Sequence, residues 1–184
     1  MRKGLGLLFA ISLCLPIGVL TAGSAGSAVN TVLPKCKAFS GTQTFVPALP
    51  KSGDSHKVKP KTTTKLTITG CTGGGITSGK SNGTQTATTA TNCNTLFANA
   101  GKPGKPTTGT ITWSNGQTSQ TSNVLTVTGA SKDLKTLNAK LVTTYTGGLG
   151  KGKKSTATVV ATPNAGWCTK VPFKSTTFKS TSIK

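Results

Sequence analysis

GTITWSNGQTSQTSNVLTVT, residues 109–128, is the stretch on which the fold reading turns. GTITW (109–113) alternates apolar and polar residues, and alternate side chains of an extended segment share a face. Ile111 and Trp113 therefore point one way, with Thr110 and Thr112 on the other side. VLTVT (124–128) repeats the pattern with Leu125 and Val127. Between the two runs lies SNGQ (114–117), and Asn-Gly marks a tight hairpin because both residues tolerate positive φ. The stretch predicts two antiparallel strands with one apolar face and one threonine-rich, solvated face.

The same alternation recurs along the chain. KLTIT (65–69), AKLVTTY (139–145) and TATVVAT (156–162) each set apolar residues against Thr, Lys or Ser. Weaker strand signals cover 39–46, 76–89 and 171–178. Helix signals are scarce: NTLFANAG (94–101) is the one plausible helical piece, ended by Gly101. KSGDSHKVKPK (51–61), GKPGKP (101–106) and GGLGKGKKS (147–155) are rich in turn formers and predict exposed loops. Strands with one buried and one wet face belong to antiparallel sheets that bury their apolar sides together. The expected fold is an all-β antiparallel β-sandwich, immunoglobulin-like or related, of seven to nine strands. Its expected core contains Ile111, Trp113, Leu125, Val127, Leu141 and Val159.

The N-terminus frames this domain. Arg2 and Lys3 precede an apolar run, Gly4–Leu20, interrupted by Ser12 and Pro16 and followed by the small residues of AGSAGSA. That is the layout of a secretory signal peptide, predicting a leader over 1–28 and a single exported domain over 29–184. No later apolar run is long enough to span a bilayer as a helix. Of five cysteines, Cys14 falls in the leader, and Cys36, Cys71, Cys93 and Cys168 remain. An even number in an exported chain points to two disulfides. Of the three possible pairings we favour Cys71–Cys93, closing a local loop, with Cys36–Cys168 stapling the chain ends. A zinc site built from the same thiolates would call for close C-x-x-C pairs, and none occurs.

GGITSGKS (74–81) satisfies G-x-x-x-x-G-K-[ST], the written form of a nucleotide-binding P-loop. A working P-loop runs from a strand through the loop into a helix whose N-terminus faces the phosphates. The strand is present in KLTITGC, but NGTQTATTATNC after Ser81 consists of weak helix formers with no apolar stripe. Gly73–Gly79 is therefore read as a turn, and no nucleotide is expected. NGT (82–84) also fits a glycosylation sequon, relevant only in a host that modifies such sites.

Catalytic chemistry has little to draw on. The chain holds two acids, Asp54 and Asp133, one histidine, His56, and one tyrosine. A hydrolase would have to combine His56 with one of the acids, yet DSH (54–56) sits among lysines in a predicted loop, and adjacency in sequence does not make triad geometry. The expectation is a non-enzymatic protein without cofactor or metal.

Charge is the strongest remaining signal. The formal net charge is +20, almost all of it lysine. Lys57, Lys59 and Lys61 form one cluster and Lys151, Lys153 and Lys154 another. A field of this size attracts polyanions. Lysine without arginine favours diffuse attraction over bidentate recognition, and the lack of aromatic residues among the lysines argues against nucleic acid.

CKAFSGTQTF (36–45), LTITGC (66–71), GTITWSNG (109–116) and a late Cys168 before a threonine-rich end together resemble a loose group of small, exported, β-rich actinobacterial proteins without assigned activity. The resemblance implies a secreted, disulfide-stapled β-sandwich and brings no catalytic residues. The functional expectation is a secreted or envelope-associated binding or structural module, drawn to an anionic wall polymer or acidic surface through its loop lysines. A secreted adhesin or effector recognising a protein partner is the alternative, ahead of a hydrolase using His56.

Overall fold

The computed structural model describes residues 32–93, 101–130, 136–164 and 171–184. The predicted leader, most of the helix expected at 94–101, Asp133 and Cys168 lie outside these segments. Eight strands follow one another: β1 (Ala38–Leu49), β2 (Lys61–Thr69), β3 (Gly79–Thr86), β4 (Thr107–Trp113), β5 (Thr118–Ala130), β6 (Leu137–Gly148), β7 (Lys154–Pro163) and β8 (Phe173–Ile183). Each pairs antiparallel with its neighbours in sequence, and β8 returns to pair with β1, giving a closed barrel.

The fold is thus all-β and antiparallel, but the expected immunoglobulin-like sandwich is wrong. The seam that decides it joins the chain's two extremities, from Ser40 opposite Lys179 to Thr44 opposite Ser175. The Phe39 amide donates to Ser180 Oγ across it at 2.8 Å, over 141 residues of sequence. Alternation reports which side of a strand is buried. It does not report whether that side meets a second sheet or the far wall of the same one. The inward positions hold the reason for closure. A sandwich needs large apolar groups on both inner faces to fill the space between sheets. Here many inward positions are small: Gly41, Ser81, Gly83, Gly109, Ala139, Ala157 and Ala161.

Two inward glycines of the wall, Gly41 and Gly79, are required by their neighbours. A Cβ on Gly41 would collide with the Lys65 carbonyl oxygen and lie 2.6 Å from Cζ of Phe178. Gly79 faces Trp113 across the β3–β4 ladder, and a Cβ there would lie 2.7 Å from the indole Cε3. A large ring laid over a cross-strand glycine packs the sheet where two side chains would not fit.

The SNGQ hairpin forms as read from the sequence. Gly116 donates its amide to Trp113 O at 2.9 Å and takes φ 82°, while Trp113 bonds the Gln117 carbonyl. The turn, the β2–β3 and β6–β7 connections, residues 33–36 and Lys184 lie at one end of the barrel, here the hairpin end. The β1–β2 loop lies at the opposite, far end. One apolar cluster, including Phe39, Ile68, Ile76, Ile111, Trp113, Tyr145, Leu149 and Val159, occupies the lumen and the hairpin end. A smaller one, Leu49, Cys93, Leu137 and Phe173, closes the far end. Of the expected core, Ile111, Trp113 and Val159 are buried and Leu141 packs against them. Val127 packs on the far-end cluster, whereas Leu125 is 44% exposed.

The favoured disulfide pairing is also overturned: Cys36 bonds Cys71. Register explains it. Ala38 lies opposite Thr69 in the β1–β2 ladder, and Lys35 and Thr72 exchange both backbone hydrogen bonds just beyond it. Cys36 and Cys71 are therefore the opposed pair between, at a non-hydrogen-bonded position where side chains stand closest. Cys93 is also disulfide-bonded, so it is not the partner of Cys71 that the loop-closure reading assigned.

Candidate lumen site

The barrel interior is not filled. Eight strands enclose a space that side chains can just pack, or that can hold one small ligand. In this chain the small inward residues leave room. One cavity of about 420 Å³ reaches the hairpin end, and a second of about 300 Å³ extends toward the far end. Phe39, Leu66, Ser81, Asn123 and Leu141 line both, so the two meet in the middle of the barrel. Their volumes lie in or near the range of about 300–1,000 Å³ usual for small-molecule sites.

The walls are mostly apolar. Ile68, Ile111, Tyr145, Ala157 and Ile183 continue the lining toward the hairpin end. Ala139, Val159, Ala161, Leu125 and Phe178 continue it toward the far end. Leu125 stands opposite Leu141 in the β5–β6 ladder and lines the far-end cavity. Set into these walls is a linked polar group on β5 and its neighbours. Thr143 donates to Asn123 Oδ1 at 2.8 Å. Asn123 Nδ2 donates to Thr121 Oγ1 at 3.1 Å, and the Thr121 hydroxyl continues to the Gly109 carbonyl at 3.2 Å. This chain fixes the Asn123 amide, leaving a second N–H for a guest. Gln43 and Thr64 form another polar pair, at 3.3 Å.

The hairpin end is held by a second network. Trp113 Nε1–H donates to Ser119 Oγ at 2.8 Å, and the Ser119 hydroxyl donates to the Leu149 carbonyl at 2.7 Å. Ser119 is wholly buried and Trp113 nearly so. The indole is thus clamped between strand and turn. Tyr145 and Ser155 line the cavity at this end. Burial holds the Tyr145 phenol above its usual pKa, against a smaller downward pull from the Ser155 side chain.

The wall has one weak seam. β3 and β4 pair over only Gly79–Ser81 with Ile111–Trp113. Beyond that, β3 continues along β2 and β4 along β5, not along each other. Gly83, Gln85, Thr107 and Gly109 border the resulting slot and line the lumen behind it. A Cβ on Gly83 would meet nothing within 4 Å.

The residues singled out from sequence lie elsewhere. Lys57, Lys59 and Lys61 are exposed at the far end, and Lys151, Lys153 and Lys154 are exposed at the hairpin end. The barrel holds the two clusters apart rather than converging them. Asp54 Oδ1 accepts the His56 backbone amide at 2.9 Å, a local turn in the exposed β1–β2 loop. Neither residue lines the lumen, and among the described residues no carboxylate or imidazole side chain does. Among the described residues no three His, Cys, Asp or Glu side chains group as metal ligands. The GGITSGK segment is a turn anchored by buried Ile76, and it enters strand β3, not a helix.

The lumen set of Ser81, Thr121, Asn123 and Thr143 was not found from sequence. Its only signal was glycine at 41, 83 and 109, where period-two alternation calls for apolar side chains. Comparison with protein-family models, with curated proteins and with solved structures yields no match.

Proposed function

We propose that this chain is a non-enzymatic binding protein that holds one small, largely apolar molecule inside its barrel. The observation that carries this is the open, mostly apolar lumen with the Asn123 hydrogen-bonding group at its centre. Such a wall selects a hydrocarbon body with a hydroxyl or carbonyl partway along it. Shape and solvent exclusion supply affinity, and the fixed amide sets orientation. Lys65, Lys140 and Lys179 project from mid-strand on the outside, with Lys80 near the start of β3, charges that a lipid-facing barrel wall avoids, so the outer surface is read as facing water. The Cys36–Cys71 disulfide supports an oxidising, exported setting.

The test is displacement of an environment-sensitive apolar dye by long-chain alcohols and ketones. Binding should be saturable at one site. It should be lost when Ser81, which lines both cavities, is replaced by Phe, in a variant whose unfolding remains cooperative. Unchanged binding in Ser81→Phe would remove the lumen from the account.

A second reading retains the lysines as an electrostatic anchor to anionic envelope polymer. The exposure of both clusters favours it. Because they sit at opposite ends, the reading implies two independent contacts. Lys57, Lys59 and Lys61 changed to Gln should weaken low-salt retention on an anionic matrix only partly, and the change at Lys151, Lys153 and Lys154 should account for the rest. Full retention after both changes would end it.

A further inference from the structure

The mouth at the hairpin end gathers three lysines, where the far-end cavity is lined by one, Lys105. Residues 33–36, the start of β7 and the end of β8 frame it, and Lys35, Lys154 and Lys184 line it beside Leu33, Pro34 and Ile183. The frame is fixed. Lys35 is tied to Thr72 by two backbone hydrogen bonds, and Cys36 by its disulfide to Cys71. Leu33 packs against the β6–β7 turn so closely that a Cβ on Gly150 would lie 2.7 Å from Leu33 Cδ1. The Lys154 backbone is paired with Thr144 of β6, and that of Lys184 exchanges two hydrogen bonds with Thr156 of β7. No protein carboxylate side chain is placed to neutralise these ammonium groups: among the described residues the only acidic side chain is Asp54, in the loop at the opposite end. Tyr145 and Ser155 line the same cavity end. Below these the walls are apolar through Ile68, Ile111, Phe39, Leu66 and Leu141.

Cations at the rim, hydroxyl donors beneath them and hydrocarbon below match one kind of molecule end to end. Resting on the lumen reading above, we infer that the ligand is an amphipathic anion of the fatty-acid type. Its carboxylate lies between Lys35 and Lys154 at the hairpin end, within reach of Tyr145 and Ser155, and its hydrocarbon chain runs down the barrel past Asn123. The carboxylate stays in contact with water at the rim, so its charge is not buried, while the chain gives up its apolar surface to the lumen.

The experiment compares ligands that share one chain and differ at the head: a long-chain carboxylate, its alcohol and its methyl ester. Each displaces the same apolar dye from the wild-type protein, from Lys35→Gln/Lys154→Gln and from the charge-matched control Lys57→Gln/Lys59→Gln. The wild type should prefer the carboxylate over the alcohol by about tenfold, with the preference shrinking as salt rises. Lys35→Gln/Lys154→Gln should erase the preference and leave alcohol binding unchanged, and the control should keep it. Equal binding of carboxylate and alcohol by the wild type would overturn the anionic head and leave the lumen reading standing. Equal loss of preference in both double variants would overturn it too, by assigning the effect to the net charge of the whole protein. Failure of every chain compound to displace the dye would overturn the lumen reading, and this inference with it.

Discussion

Replacing Ser119 with Ala tests how the hairpin end is held. Ser119 Oγ accepts the Trp113 indole N–H at 2.8 Å and donates to the Leu149 carbonyl at 2.7 Å, with its own side chain wholly shielded from water. Removing one hydroxyl strands two polar groups. A buried donor or acceptor left without a partner costs about 1–3 kcal/mol, and relaxation of the Leu149 turn recovers part of that cost. The expected loss for Ser119→Ala is therefore about 2–4 kcal/mol. In urea this appears as a lower midpoint at unchanged slope. By heating, a domain of this size loses roughly 2–4 °C for each kcal/mol. Adding Trp113→Phe separates the two bonds. With the indole donor gone, Ser119→Ala strands only the Leu149 carbonyl, so its cost in that background should fall to about half. A loss below about 0.5 kcal/mol, the scatter typical of surface changes, or strict additivity of the two substitutions, would refute the clamp.

Three further outcomes follow from the geometry. Gly79→Ala should destabilise the barrel by about 1–3 kcal/mol, because its methyl meets the clamped Trp113 ring; Gly83→Ala, with open space around it, should change stability by less than about 0.5 kcal/mol. Non-reducing digestion should release Cys36 and Cys71 in one linked peptide; Cys36→Ser/Cys71→Ser should cost about 3–4 kcal/mol for a loop of this length, and a peptide linking Cys36 to Cys168 would contradict the β1–β2 register. Tyr145 is the sole tyrosine, so tyrosinate absorbance reports it alone: its folded midpoint should lie above the unfolded one. The folded state favours the neutral phenol, so this contribution is intact below the unfolded phenol pKa of about 10 and is lost as pH rises past it. Tyr145→Phe should lessen the alkaline loss of stability relative to wild type, and an equal loss in both would assign the decline to the lysines.

The strands were readable because each side-chain pattern is local. GTITW, VLTVT and KLTIT set Ile111, Leu125 and Leu66 on one face by period two, and each of these side chains does face inward. The weaker runs at 39–46, 76–89 and 171–178 are strands as well, β1, β3 and β8. Closure was not readable, since it depends on Gly41 meeting Phe178 from the other end of the chain. The disulfide was lost for the same reason: Cys36 and Cys71 become opposite only once the β1–β2 register is set. The candidate site was hidden by composition. Thr121, Asn123 and Thr143 look like their solvent-facing neighbours in a threonine-rich chain, and only the β5–β6 pairing turns them inward. Lysine was legible as charge but not as place: Lys35 and Lys154 matter here for the cavity they border, while Lys57 and Lys59 stand at the opposite end.

The most direct test of the account follows side-chain methyl resonances while a long-chain carboxylate is added. A closed barrel that binds inside should show shifts and ligand contacts at Leu66, Ile68, Ile111 and Leu141, which face the lumen. Val124, Val142 and Val160, on β5, β6 and β7 but directed outward, should stay unperturbed. Ligand contacts at the outward valines, or at both sets alike, would contradict both the closure of the sheet and the interior site.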